Sequence, residues 1–286
     1  MKSQTTPQSD RARMMRLLEQ TGLYLLLMIG AVISLFPFYW MVSSSLKPAH
    51  EMYAWPPTLW PQQFTVDAYR YVWETMDVPR TVFNSTVVAV SQVSLNVFFS
   101  SLVGYALAKL VFPGKRYLFL TVLALMILPG QLLIIPLFLQ VHRLGLLDTY
   151  AGLVLPGAIT PFTIFLLRQA CLGVPDEYLE PAITDGPNHS HILFLPPSPL
   201  IKPLLLTAVL INFYWNWNGF LWPFLVIAHD EMATLPVALA RYRTFQAQRL
   251  DAVMAAATVV ALPIVLVYLV IQRQFVESLT MSGLRG

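Results

Sequence analysis

Six runs of apolar residues, each about twenty residues long, alternate with short polar stretches along the chain. A helix of about twenty apolar residues matches the hydrocarbon thickness of a bilayer. The pattern therefore predicts six membrane spans, at 21–44, 82–107, 117–140, 150–167, 204–227 and 252–271. Small and hydroxyl residues (Ser91, Ser94, Ser100, Ser101, Gly104) fill the second run and predict close helix packing inside the bundle. Pro129-Gly130 and Pro136 interrupt the third run, and Pro156 and Pro161 the fourth. Kinks or local unwinding are expected there, because proline withholds a backbone donor and clashes with the preceding turn.

The polar stretches divide by character. Residues 1–19 form a polar N-terminal tail carrying Lys2, Arg11, Arg13 and Arg16. The apolar run after it is long and shows no small-residue cleavage site, so it reads as an uncleaved span rather than a signal peptide. With the loop that follows it, this span forms a first region, 20–81. That loop carries Trp55, Trp60, Tyr69, Tyr71 and Trp73, rings that favour the membrane–water interface. The core is expected over 82–273, and 274–286 is a C-terminal tail.

Composition sharpens this picture. The chain of 286 residues is 56% hydrophobic and only 12% charged, against roughly a quarter charged in ordinary soluble domains. A net charge of +3 is too mild to point to nucleic acid, which is not expected as a partner, and suits basic loops meeting anionic lipid. The lone Cys171 excludes an intramolecular disulfide and a cysteine-based metal cluster. With the N-terminus inside, Lys2, Arg11, Arg13, Arg16, Lys109, Lys115, Arg116, Arg168, Lys202, Arg273 and Arg285 are cytoplasmic, and the rest of the basic residues are outside. That bias follows the positive-inside rule and puts both termini in the cytoplasm. No phosphate-binding G-x-x-x-x-G-K-[ST] loop occurs, so the chain carries no ATPase motif of its own. His189-x-His191 has no partner ligands, and no metal site is assigned. No span holds a convincing buried carboxylate or lysine, which counts against ion-coupled transport.

The most informative polar stretch is 174–203, VPDEYLEPAITDGPNHSHILFLPPSPLIKP. Asp176, Glu177, Glu180 and Asp185 exclude it from hydrocarbon. Asp176 is a fair cap for a short helix, and Gly186 is a stop. Glu180, Ala182, Gly186 and Pro199 fall at the spacing of the cytoplasmic E-A-A…G loop of importer-type ABC permeases, and Asp185 and Lys202-Pro203 resemble the carbohydrate-importer branch. Pro181, Pro196 and Ser198 depart from the pattern. Pro181 lies inside the proposed helix, at a cost of about 3 kcal/mol. Trp217, Asn218, Phe220, Leu221, Trp222 and Pro223 resemble a W-N-acidic-F-L-W-P stretch of the same branch, with Gly219 at the acidic position.

The resemblance covers nearly the whole chain and implies an all-α integral membrane protein with the six-helix transmembrane domain of a type I ABC importer. It implies a permease subunit of the plasma (inner) membrane, moving a sugar or sugar-like solute by alternating access. The implied partners are a second homologous permease, two ATP-binding subunits and an extracytoplasmic solute-binding protein. No cofactor is implied, since a partner subunit hydrolyses ATP. Glu180, Ala182, Asp185, Gly186 and Pro199 then form the ATPase-coupling loop. Gln131, Asn216, Trp217, Asn218 and Trp222 are candidates for the solute path; an interhelical hydrogen bond explains Gln131 slightly better, and an interfacial belt explains the tryptophans equally well. Two other readings stay open: a membrane-embedded enzyme or channel not driven by ATP, and a degenerate permease that assembles but does not couple.

Overall fold

A computed structural model describes residues 7–175, 201–246 and 248–283. All its regular structure is helical. The first compact unit holds the chain to Val72 together with Gln246–Thr258; the second holds Trp73–Phe245 and the chain from Val259.

In the first unit, α1 (Pro7–Ser45) begins inside the polar N-terminal tail and runs through the first apolar stretch as one helix. The window of α1 that is apolar enough to cross a membrane has none of its residues buried. The loop after α1 is built around charge. Glu51 is buried; its Oε1 accepts from Thr58 Oγ1 at 2.6 Å and from the Gln62 amide at 3.0 Å. Lys47, 2% exposed, donates to the Thr58 carbonyl and lies 4.6 Å from the Trp40 ring centroid. α2 (Asp67–Thr75) follows and buries Ala68 and Val72, one turn apart. Arg249 grips the buried Asp251 with two hydrogen bonds and stacks on Tyr71.

In the second unit, α3 (Val78–Lys109) is the central helix. Asp77 caps it from the left-handed region, its side chain accepting from the Arg80 amide, with proline in the first turn. Its buried stripe (Thr81, Asn84, Ser85, Val88, Asn96, Ser100, Gly104, Leu107) follows helical periodicity. Of the small residues expected to pack, Ser100 and Gly104 are buried and Ser94 is exposed.

α4 (Lys115–Ile127) and α5 (Ile134–Arg143) come from the third apolar run. They are bent by 97° about a 3-10 turn at Gly130–Leu133. Leu128 and Pro129 are both extended there; at Leu128 the following proline ring disfavours helical backbone. α6 (Tyr150–Val154) and α7 (Pro161–Leu172) form the fourth run, bent by 48°. α8 (Lys202–Trp217) is only 16 residues long and is continued after a break by α9 (Leu221–Val226). α10 (Leu235–Phe245) occupies a stretch that reads as a polar external loop. α11 (Leu250–Gly283) contains Pro263 and extends helix into the expected C-terminal tail. Among the described residues three helices are long and apolar enough to span a membrane, and the two bent pairs bring that to five; α8 with α9 occupies the remaining apolar run.

Tight contacts hold α3 to α7. A Cβ on Gly104 would stand 2.9 Å from the Arg168 amide nitrogen and 3.2 Å from the Ile164 carbonyl oxygen. Only glycine permits this approach. Around α6, Val88, Val141, Leu153, Val154, Val226 and Ile227 form a buried apolar cluster that Phe138, Tyr150 and Trp222 cover.

Candidate functional site

The candidate solute-path residues of the fifth run sit on the corner between α8 and α9. Asn216, Trp217 and Asn218 end α8, and Trp222 lies in the first turn of α9. Both indoles are engaged within the chain. Trp217, 4% exposed, stacks on Phe213 at 5.4 Å and donates from Nε1 to the Val260 carbonyl at 3.3 Å. Trp222 Nε1 donates to the Gly152 carbonyl at 3.1 Å. Asn216 and Asn218 each use Nδ2 on the carbonyl four residues earlier, which leaves their amide oxygens as acceptors at the corner. Gln131 is exposed on the turn between α4 and α5 and shares no hydrogen bond with the corner among the described residues.

A polar ladder, which the sequence reading did not single out, crosses the apolar interior from α3 to α8. Asn96, fully buried, donates from Nδ2 to the Gly157 carbonyl at 2.8 Å and to Thr160 Oγ1 at 3.2 Å. Thr160 and Thr163 hydroxyls lie 2.9 Å apart. Asn212 Nδ2 donates to Thr163 Oγ1 at 3.0 Å and to the Ala208 carbonyl, and the Asn212 carbonyl accepts from Asn216. Two buried acceptors beside this ladder, Asn96 Oδ1 and Ser100 Oγ, have no partner among the described residues. In sequence each asparagine is one amide in an apolar run; the ladder exists because close packing brings three helices together.

At one end of the second unit, Asp148 clasps the segment after α9. It adopts φ 55°. Its Oδ1 accepts from the Ala228 and His229 amides at 2.9 and 3.2 Å, and Oδ2 lies 2.5 Å from His229 Nδ1. Burial pushes the Asp148 carboxyl up, but the His229 amide, its ring and the Ala228 amide outweigh that and leave it below the usual carboxylate range. Nearby, Asn84 Nδ2 donates to the Glu231 and Ala233 carbonyls and its Oδ1 accepts from Tyr150 at 2.6 Å.

At the opposite end, the base of the acidic segment is fastened. Arg168 Nε donates to the Leu107 carbonyl at 3.2 Å, and Lys109 Nζ donates to the Val174 carbonyl at 2.6 Å. The last turns of α3 and α7 are thus joined directly before Asp176, and α8 starts at Lys202. Glu180, Ala182, Asp185, Gly186 and Pro199 lie outside the described residues.

The sequence pattern of the family described as "Binding-protein-dependent transport system inner membrane component" matches residues 98–280. The chain is 34% identical over 259 residues to an arabinooligosaccharides transport system permease protein, AraQ, of Halalkalibacterium halodurans, covering 90% of this chain and 93% of the relative. It is 31% identical over 264 residues to the diacetylchitobiose uptake system permease protein NgcG of Streptomyces coelicolor, with 91% and 87% covered. A crystal structure of a bacterial ABC transporter involved in the import of the acidic polysaccharide alginate holds a chain that superposes with a TM-score of 0.81 at 26% identity, covering 96% of this chain and all of that one. With more than half of its length matched, and relatives above 30% identity along nearly all of it, the chain belongs to the binding-protein-dependent transport system inner membrane components, the multi-pass permease subunits of ABC importers.

Proposed function

We propose that this chain is one permease of an importer for a sugar or sugar-like solute, and that ATP hydrolysed by partner subunits drives it through the segment between α7 and α8. The partners in this reading are a second homologous permease, two ATP-binding subunits and an extracytoplasmic solute-binding protein. The chain has no phosphate-binding loop, so the ATPase is a partner's. Both termini are cytoplasmic, which puts the Asp148 clasp outside and the acidic segment within reach of the ATPase.

The observation that carries the reading is the fastening of α3 to α7 by Lys109 and Arg168 directly before Asp176. Glu180, Ala182, Asp185, Gly186 and Pro199 form the docking segment, and a push on it acts on both helices together. The solute class follows from relatives named for oligosaccharide uptake and from the corner of α8 and α9, where aromatic rings stand beside amide oxygens. Flat apolar faces with a polar rim suit a pyranose. Asn216, Trp217, Asn218 and Trp222 are the proposed solute-side residues, with Gln131 at the break in the third span. Trp222 acts in it through its ring face, since its N–H group is occupied, and Trp217, buried and stacked on Phe213, backs the corner.

The test is co-purification of the tagged chain with its partners in mild detergent, beside a Gly186→Asp variant, with ATP hydrolysis measured with and without loaded binding protein. Stimulated hydrolysis in the native chain, abolished in the variant, is expected. Absence of any ATP-binding subunit would overturn the assignment, and full stimulation in the variant would overturn coupling through this segment. Pro181 and the prolines from Pro187 to Pro199 favour one second reading, a permease that assembles without coupling. It predicts co-purified partners and no stimulation by any solute.

A further inference from the structure

A basic pocket lies at the turn between α3 and α4. It has a volume of about 500 Å³ and is lined by Phe112, Lys115, Arg116, Tyr117, Phe119 and Arg168 around Gly114. No carboxylate stands among its described lining residues. Three cations at one concavity repel one another, and the local structure holds them there. Lys115 Nζ is fixed by the Ala108 and Leu110 carbonyls at 3.1 and 2.9 Å. The Arg168 guanidinium lies 3.8 Å over the Phe119 ring, with its Nε spent on the Leu107 carbonyl. Its two terminal nitrogens have no partner among the described residues, and neither has Arg116, which is exposed. The turn itself adds donors. Gly114, at φ 81°, precedes α4 and offers no side-chain cap to the first amides of the helix.

We infer that this pocket binds the phosphate headgroup of an anionic phospholipid. Free guanidinium N–H groups match phosphate oxygens in geometry and charge. The same chemistry would hold a soluble phosphate ester, but the surroundings fit a molecule with a tail. α4 carries Lys115 and Arg116 in its first turn and no charge afterwards. Its exposed face runs on through Leu118 and Leu125, 55% and 43% exposed. Thirteen residues of helix span about 20 Å, enough to accompany an acyl chain through one leaflet. A headgroup at Arg116 and a chain along α4 use both parts of the surface. The site rests on the proposed orientation only for the leaflet: it faces the cytoplasmic one, where anionic lipid attracts basic groups.

The test is native mass spectrometry of the intact importer complex, washed in detergent and titrated with phosphatidylglycerol or with phosphatidylcholine of the same chains. Selective retention of phosphatidylglycerol is expected. Arg116→Gln should weaken it about fivefold, the effect of one basic residue near an anionic surface, and Arg116→Lys should restore most of it. Arg116 has no partner among the described residues, so this variant keeps its fold even if Arg168→Gln does not. Equal retention of both lipids, or unchanged retention in Arg116→Gln, would overturn the site. Displacement of phosphatidylglycerol by glycerol phosphate or inorganic phosphate in millimolar excess would overturn the lipid as its source. Stimulated ATP hydrolysis, read on the same preparation, tests the importer assignment separately: its loss with lipid retention intact would strike that assignment and leave the site standing.

Discussion

Replacing Gly152 by alanine probes the packing behind the corner of α8 and α9. The added Cβ would stand 2.1 Å from the Leu146 carbonyl oxygen and 3.1 Å from its carbon, where ordinary contact begins near 3.4 Å. One backbone must therefore move by about 1.3 Å, the difference between 3.4 and 2.1 Å. Neither side is free to do so. Leu146 is tied through its amide to the Val141 carbonyl at 3.0 Å, and its carbonyl accepts from Thr149 Oγ1 at 2.8 Å. The Gly152 amide donates to the same Thr149 hydroxyl at 3.1 Å, and its carbonyl accepts from Trp222. A shift of that size breaks at least one of these bonds. Overpacking at about 1–3 kcal/mol and a lost hydrogen bond at about 1 kcal/mol together give about 2–4 kcal/mol. The apparent melting temperature of the purified complex should fall by about 5–15 °C, with a change in indole emission from Trp222. Two controls separate this from a general effect. At Gly157 the three atoms nearest the new Cβ all belong to the Gln92 side chain, whose amide end can swing away, and at Gly30 nothing lies within 4 Å; both alanine variants should melt close to the native protein. A Gly152→Ala variant that matches these controls in melting and emission would refute the reasoning.

Three further perturbations follow from the same contacts. Asn96→Ala removes both hydrogen bonds from α3 to Gly157 and Thr160, worth about 0.6–2 kcal/mol each between membrane helices; thermal unfolding in detergent should register the loss, and an unchanged melting point would show the ladder to be idle. Asp148 has a depressed carboxyl pKa, so its contribution is present above the unfolded value of about 4 and is lost as pH falls through the folded value; the gap in stability between the native chain and Asp148→Asn should hold at pH 5–8 and close at lower pH. Burial raises the Glu51 carboxyl, but the hydrogen bonds from Thr58, Gln62 and Gln63 and the Lys47 charge hold it below its usual range; Glu51→Gln leaves the buried Lys47 without its counter-charge, and chymotrypsin should cut the loop after α1, at Tyr53 or Phe64, faster.

The architecture was legible where local chemistry decides it. Pro129-Gly130 marked the break in the third run, and proline sterics alone account for the extended backbone at Leu128. Gly104 marked a close approach because nothing larger than hydrogen fits against the Arg168 amide. Illegible parts depend on partners distant in sequence. Trp217 and Trp222 announce themselves as aromatic, but only tertiary packing sets Val260 and Gly152 as their acceptors. Thr163 looks like any hydroxyl in an apolar run until Asn212, forty-nine positions later, turns to it. α2 was hidden inside a polar loop for a different reason: it buries only Ala68 and Val72 among mostly polar residues. α10 is largely apolar, but at eleven residues it is too short to read as a span.

These contacts also bear on how a displacement would travel. α3 and α7 meet at three levels: Asn96 at Gly157 and Thr160, Gly104 at Ile164 and Arg168, and Lys109 at Val174. α8 joins them through Asn212 and Thr163. Close-packed helices pinned at several points transmit force as a body rather than by bending, because interiors resist compression. The backbone contact at Gly104 prevents α3 from sliding past α7 without a steric penalty. Asn96 and Asn212, whose amides would otherwise face hydrocarbon unpaired, resist separation of the three helices. If the ATPase pushes between Asp176 and Leu200, the load therefore enters a bundle already locked from Lys109 to Asn96. The soft points lie elsewhere, at the 97° corner beside Gln131 and at the break between Asn218 and Phe220. Both breaks adjoin the proposed solute-side residues, so the segments best able to rearrange are those that would have to open around a sugar.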